Sequence, residues 1–474
     1  MLRRLVDVAI FVLLGSLSGR AAPAAETTPR PALEGAWEGT LNGALRVVLR
    51  IDRRPDGMLH GVLDSPDQGA LGIEMDSVWV AGDTAHCEWR RLKASYVAVW
   101  SSDGRELVGN WTQGAYTLPL TMKRLDQAPQ YRRPQEPTPP YPYDAEEVGF
   151  PNPDSGFRLA GTLTLPRARG PHACVLLISG SGPEDRDETV FGHRPFLVLA
   201  DDLTRRGIAV LRVDDRGVGG STGDPVGATS QDLAGDARAA IAFLKTRKDI
   251  DARRLGLIGH SEGGLIAPLV AVAERGVAFI VLMAGPGVPG DSILYAQGEL
   301  ILRAQGASET TIAAQRRLQR EVFATVREEP DTAKAAARIR AAFLEFASQL
   351  PESARAGLGS SAIAAQIRQV RYPWFRYFID YDPCPTLRRV KCPVLAINGE
   401  RDVQVPAREN LDAIGQALRE GRNRDVTLRA LPGLNHLFQT CRTGAVSEYV
   451  TIEETISPAA LAIVGDWVVA RTKR

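Results

Sequence analysis

Residues 255–264 read Leu-Gly-Leu-Ile-Gly-His-Ser-Glu-Gly-Gly, and no other stretch constrains the fold of this chain as tightly. An apolar run, a sharp turn with serine at its apex and the start of a helical pattern follow one another without a spacer. Gly259 and Gly263 stand two residues to either side of Ser261, where a side chain would hold strand and helix apart. A turn of this kind strains the serine backbone, lifts the hydroxyl clear of the sheet and sets the positive end of a helix beneath it.

The surroundings of the motif agree with it. Apolar runs at Ala173–Ser179, Ile208–Asp214, Leu255–Gly259, Phe279–Ala284, Pro393–Asn398 and Val426–Leu431 are predicted strands. Helical stretches such as Gln231–Thr246, Glu262–Glu274 and Ala407–Glu420 lie between most of them. Unbroken apolar strands that alternate with helices imply a mostly parallel sheet flanked by helices on both faces. One connection breaks the rhythm: roughly 105 residues separate Ala284 from Pro393, where about 2–6 is usual. Within it, Ile339, Phe343, Phe346 and Leu350 mark one helix face, and Ile363, Ile367 and Val370 mark another. The insertion, about 286–391, reads as a helical lid.

The region before residue 144 has a different texture. Over 31–125, short runs such as Leu45–Ile51, Ser77–Ala81, Ser95–Trp100 and Thr117–Lys123 are separated by turn signals, which predicts a small all-β barrel or sandwich. Gly35-Ala36-Trp37 and Gly109-Asn110-Trp111 are candidate matching strand positions. Residues 126–143 carry Pro134, Pro137, Pro139, Pro140 and Pro142 and read as a stiff linker, so that 144–474 forms the second domain. Arg3 and Arg4, the apolar run Val8–Leu17 and the small residues Ala22-Pro23-Ala24 predict a signal peptide over 1–24, cleaved near Ala24, and a periplasmic or secreted protein. The apolar run is shorter than the roughly 20 residues a membrane span needs.

Lysine plus arginine number 57 and aspartate plus glutamate 56, a net charge of +1 that supplies no basic field for nucleic acid or an anionic membrane. The five cysteines, Cys87, Cys174, Cys384, Cys392 and Cys441, match no zinc spacing, and only Cys384 with Cys392 suggests itself as a disulfide. The glycines of Asp214-Asp215-Arg216-Gly217-Val218-Gly219 fit a dinucleotide fingerprint poorly, and Arg216 reads as a structural ion-pair residue. No cofactor or metal is called for.

A serine hydroxyl is a weak nucleophile and needs a base. An elbow of this kind takes its partners in the order Ser, acid, His. Of the six histidines, at 60, 86, 172, 193, 260 and 436, only His436 lies beyond Ser261, in the loop Pro432–His436 after a predicted strand. The acid belongs to the loop Asn398–Pro406, where Asp402 is the candidate and Glu400 its competitor two residues away. Acyl transfer also needs oxyanion donors. The backbone N–H of Glu262, next to the nucleophile, is one. The other comes from Gly180-Ser181-Gly182-Pro183 after the first predicted strand, with Ser181 preferred and Gly182 the alternative.

These residues resemble the α/β-hydrolase superfamily, and within it a bacterial group of carboxylesterases also described as serine-aminopeptidase-like hydrolases. The resemblance covers about 146–472. It rests on Ser179–Pro183, Asp215–Gly219, the elbow Gly259–Gly264, Gly399–Asp402 and Leu431–His436. It implies an α/β-hydrolase fold and cofactor-free hydrolysis of short-chain carboxylic esters. The same triad serves a thioesterase, an aminopeptidase or an acyltransferase, and a peptidase acting on free N-termini would want a carboxylate such as Glu262 near the acyl site. Dienelactone hydrolases and haloalkane dehalogenases differ at the position of Ser261. Prolyl-oligopeptidase relatives need a propeller too large for the region before 126. A different class, a ligand-delivering β-domain on an inactive hydrolase, sits badly with a complete triad. Finally, Tyr372, Trp374, Phe375, Tyr377, Phe378 and Tyr381 crowd the end of the insertion. They either anchor the lid or, for Trp374 and Phe378, also wall the acyl pocket.

Overall fold

The structure, a computed structural model, describes residues 32–41, 45–114, 116–350 and 359–473. The expected signal peptide at 1–24 lies outside the described residues. Among the described residues two compact units are present, one holding the β-rich segment up to Arg132 with 347–350 and 359–362, the other holding Arg133–Phe346 and the chain from Ile363 on.

The β-rich unit contains β1 Gly35–Leu41, β2 Leu45–Arg53, β3 Leu59–Ser65, β4 Ala70–Glu74, β5 Ser77–Ala81, β6 Thr84–Trp89, β7 Ala94–Trp100, β8 Glu106–Gln113 and β9 Tyr116–Leu125. They form a single antiparallel sheet in the order β4-β3-β2-β1-β9-β8-β7-β6-β5, so one curled sheet takes the place of two packed ones. Alternate residues point inward, and Trp37, Trp89, Tyr96, Leu107 and Met122 fill a single core. Trp37 on β1 and Trp111 on β8, the two expected matching positions, share that core. The outer face carries Trp79 stacked on His86 at 4.8 Å.

The second unit begins with β10 Tyr143–Pro151 and β11 Arg158–Pro166, then β12 His172–Ile178, α1 Pro195–Arg205, β13 Ala209–Val213, α2 Ser230–Thr246, β14 Ile250–His260, α3 Glu262–Ala273 and β15 Val277–Met283. The insertion contributes α4 Gly290–Ala304, α5 Glu309–Glu328, α6 Thr332–Ser348, α7 Ser360–Val370, α8 Pro373–Asp380 and α9 Cys384–Leu387. The chain closes with β16 Val394–Gly399, α10 Ala407–Glu420, β17 Val426–Leu431 and α11 Pro458–Thr472. The sheet runs β10-β11-β13-β12-β14-β15-β16-β17. From β13 to β17 every neighbouring pair is parallel, while β10 and β11 are antiparallel. These two strands have no counterpart among the predicted ones. β10 is an edge strand whose Asp144, Glu146 and Glu147 face solvent, so it lacks an apolar run.

Burial of both faces is visible along β12, where Cys174, Leu176 and Ile178 enter one core cluster and Ala173, Val175 and Leu177 the other. The predicted lid faces hold, with Ile339, Phe343, Phe346, Ile363, Ile367 and Val370 all buried. All five cysteines are free, Cys384 and Cys392 included. The linker is docked over part of its length. The Arg133 guanidinium donates to the carbonyls of Phe191, Gly192, Val450 and Ile452 at 2.8–3.3 Å. Among the described residues, no helix is long and apolar enough to cross a membrane.

Candidate active site

β12 neighbours β13 on one side and β14 on the other, so the connections leaving its carboxyl end diverge and open a crevice. The sequence-predicted residues gather there. Ser261 sits between the last residue of β14 and the first of α3 with φ 53° and ψ −117°. Non-glycine residues seldom occupy such a conformation, which costs on the order of 1–3 kcal/mol and persists only where the surroundings enforce it. Two bonds do so: Ser261 N donates to Met283 O at 2.8 Å, and Gly264 N to Ser261 O at 2.8 Å. The elbow glycines are needed for close approach. A Cβ on Gly259 would overlap the carbonyl of Gly263, and one on Gly263 the carbonyl of Ile178.

His436 stands in the loop after β17, 5% exposed. Its Nδ1 lies 2.7 Å from Asp402 Oδ2. The other carboxylate oxygen of Asp402 accepts the amides of Gln404 and Val405, each at 2.8 Å. Asn398 Nδ2 holds the Val405 carbonyl at 2.8 Å, which fixes this loop from below. With Nδ1 turned to the carboxylate, Nε2 is the nitrogen left to act as acceptor. Of the two acid candidates, Asp402 is buried against His436 and Glu400 is exposed.

The loop after β12 passes beside Ser261. A Cβ on Gly180 would come within 3.3 Å of Ser261 Cβ. Ser181 and Gly182 line the same cavity as Ser261, Glu262 and His436. Gly182 has φ +110°, which lets the loop curl. The carboxylate of Glu262 is 1% exposed and engaged inside the protein. Ser230 Oγ donates to its Oε1 at 2.5 Å and Trp374 Nε1 at 2.8 Å. Burial pushes the Glu262 carboxyl up, against the opposing pull of its Ser230, Trp374 and Ser181 bonds. A Glu262 carboxylate presented to a substrate ammonium is therefore not what this geometry offers.

The aromatic cluster faces two ways. Trp374 and Phe378, stacked at 5.0 Å, line the cavity of Ser261 together with Ile293, Leu294, Ile301 and Leu437. Phe375 instead turns into the insertion and meets Phe323 edge-on at 5.7 Å. On the far side of Trp374 lies a second cavity, bordered by Pro183, Asp215, Pro225, Leu233 and Tyr372. Burial raises the Asp215 carboxyl there to about 8, against the Glu184 amide and Ser179 hydroxyl that bond it. Arg216 makes a two-point pair with Asp236 at 2.7 and 2.9 Å, the structural role expected of it.

Two further residues of the cavity carry no signal in the sequence. His260 lies before Ser261 in chain order, and Glu188, 72 positions away, belongs to no local motif. His260 Nδ1 lies 2.9 Å from Glu188 Oε1, and its Nε2 lies 3.0 Å from the carbonyl of His436.

The profile of the alpha/beta hydrolase family matches residues 175–448. Esterase EstD of Thermotoga maritima is 29% identical over 286 residues, a match spanning 59% of this chain and 58% of that protein. An uncharacterized protein of Mycobacterium tuberculosis is 35% identical over 127 residues, 27% of this chain and 41% of its own length. These matches thus cover less than two thirds of either relative. Among solved structures, the Pyrococcus furiosus esterase Pf2001 aligns over 70% of this chain and 92% of its own, with a TM-score of 0.42 and 16% identity.

Proposed function

Within the alpha/beta hydrolase family, to which this chain belongs, we propose that the protein is a serine carboxylesterase acting on small or short-chain acyl esters. The observation that carries this reading is the His436–Asp402 pair, 2.7 Å apart, whose imidazole opens onto the cavity of the strained Ser261. Ser261 Oγ attacks the ester carbonyl while His436 Nε2 takes its proton. The backbone N–H groups of Glu262 and Ser181 receive the developing oxyanion. His436 returns the proton to the leaving alcohol. A water, activated by the same imidazole, then releases the acid and restores Ser261. Asp402 orients the ring and stabilises its charged form.

The apolar walls from Trp374, Phe378, Ile293 and Leu294 support an acyl or alkyl group rather than a charged one. The esterase name of the Thermotoga maritima relative points the same way. Thioesters and activated amides would use the same residues. Arg3, Arg4 and the apolar run Val8–Leu17 support export to the periplasm or beyond. The reading is tested with a fluorophosphonate probe, which phosphonylates an activated serine with loss of fluoride, and with a panel of ester, thioester and aminoacyl substrates. Labelling at Ser261 and preferential ester turnover are expected. An unlabelled wild-type protein without ester turnover overturns the proposal.

A further inference from the structure

The pair His260–Glu188 lies beneath the triad and plays no part in the steps above. Both side chains are buried, with His260 6% and Glu188 4% exposed. Each ring nitrogen of His260 faces an oxygen acceptor, Glu188 Oε1 at 2.9 Å and the His436 carbonyl at 3.0 Å. A neutral imidazole has one N–H and one lone pair, and a lone pair cannot bond a carbonyl oxygen. Glu188 Oε1 also accepts the amide of Gly180 at 2.6 Å, so it serves two donors, as an ionised carboxylate does. With the proton on the ring both acceptors are satisfied, and the buried charge of each partner is compensated by the other.

We infer that Glu188 and His260 form an imidazolium–carboxylate brace that fixes three loops at once, making Glu188 a positioning residue for the hydrolysis proposed above. The inference rests on that serine-hydrolase reading. One arm of the brace holds Gly180, next to the oxyanion residue Ser181. The middle is His260, next to the nucleophile. The other arm holds the backbone of the base His436, whose ring lies 4.9 Å from that of His260. Glu188 itself has a positive φ of 51°, a conformation unusual for its residue type that the turn around it enforces. The groups facing His260 are Glu188, His436 and, through its charge, Asp402. Desolvation pulls the His260 ring down, and the charge and bond of Glu188, the His436 carbonyl and Asp402 together push it up, with a net rise.

The test uses the full chain. Glu188→Gln keeps an oxygen acceptor but removes the charge, so the ring can no longer satisfy both acceptors without standing as an uncompensated cation. Per folded molecule, kcat and fluorophosphonate labelling should fall about 10²-fold, the penalty of a misplaced reacting group, while KM stays within a few-fold. Nitrogen-15 NMR of the wild type should find His260 doubly protonated at about pH 8, where an unperturbed histidine is neutral. A Glu188→Gln protein that is folded and as active as the wild type overturns the brace, and so does a singly protonated His260. If the variant does not fold, the NMR measurement on the wild type decides alone. Wild-type protein that fails to label at Ser261 sinks the hydrolase reading instead and leaves the protonation result standing.

Discussion

His436 Nδ1 and Asp402 Oδ2 are 2.7 Å apart, in loops that follow the adjacent parallel strands β17 and β16. Neutralising the carboxylate as Asp402→Asn would leave the volume but favour the wrong ring tautomer. A loss in kcat on the order of 10⁴ is expected. Glu400→Gln, two residues away and exposed, should stay within about threefold, because surface changes leave such geometry intact. Steady-state kinetics on one activated ester checks both variants, and a reversal of their effects would exchange the acid assignment.

Ser261 trades stability for position. Its backbone, at φ 53° and ψ −117°, suits glycine better than any residue with a side chain. Ser261→Gly should therefore raise unfolding free energy by about 1 kcal/mol, while kcat falls by a factor on the order of 10⁶. Chemical denaturation beside ester assays measures the two effects on one protein. A destabilised glycine variant would contradict the strain.

Trp374 separates the cavity of Ser261 from the one beside Asp215 and bonds the Glu262 carboxylate at 2.8 Å. Trp374→Ala should join the two spaces and move the preferred acyl group to longer chains. It should also cost about 1–3 kcal/mol by leaving a buried carboxylate short of a donor. Trp374→Phe keeps an aromatic ring against Phe378 but loses the N–H and the rest of the indole, so stability should drop while chain-length preference moves less than in Trp374→Ala. A graded ester series with melting curves distinguishes wall from anchor. Constant selectivity in Trp374→Ala would remove it from the pocket wall.

Arg133 is bonded to four backbone carbonyls. Arg133→Ala should destabilise the protein by about 2–4 kcal/mol, since part-buried carbonyls lose a charged donor. A polypeptide starting near Asp144 lacks this clamp and should melt lower than one starting at Arg133, with both labelled by fluorophosphonate. Equal melting temperatures would show that the docked linker contributes nothing.

His193 is fully buried between Thr455 Oγ1 at 3.0 Å and the Tyr449 carbonyl at 2.9 Å. Burial, aided by the charge of Arg133, pushes it down to about 4. In the unfolded chain it titrates near 6.5. Between those values the unfolded state binds a proton that the native state refuses, so stability falls as pH drops through that window, by up to about 3 kcal/mol. Above roughly pH 6.5 the contribution is complete. Denaturation midpoints of wild type and His193→Gln across this range test the sign, and the difference between them should shrink toward acid.

The sequence by itself determined the elements whose cause is local. Gly259, Ser261 and Gly263 specify the elbow, because the steric demands of that turn act within five residues. The unbroken apolar run Ala173–Ile178 specifies a strand buried on both faces, because successive side chains point to opposite sides of the sheet. Chain order left His436 as the one histidine beyond Ser261. Tertiary structure decided the rest. Asp402 and Glu400 differ by two residues in one loop, and only the packing of β16 against β17 turns one toward His436 and the other to solvent. Glu262 reads as an available carboxylate until Ser230 and Trp374 are seen to close over it. The strands β10 and β11 draw their place from pairing rather than from an apolar run. Glu188 and His260 meet across 72 positions, and a partner chosen by the path of three loops leaves no periodicity or spacing for a sequence to display.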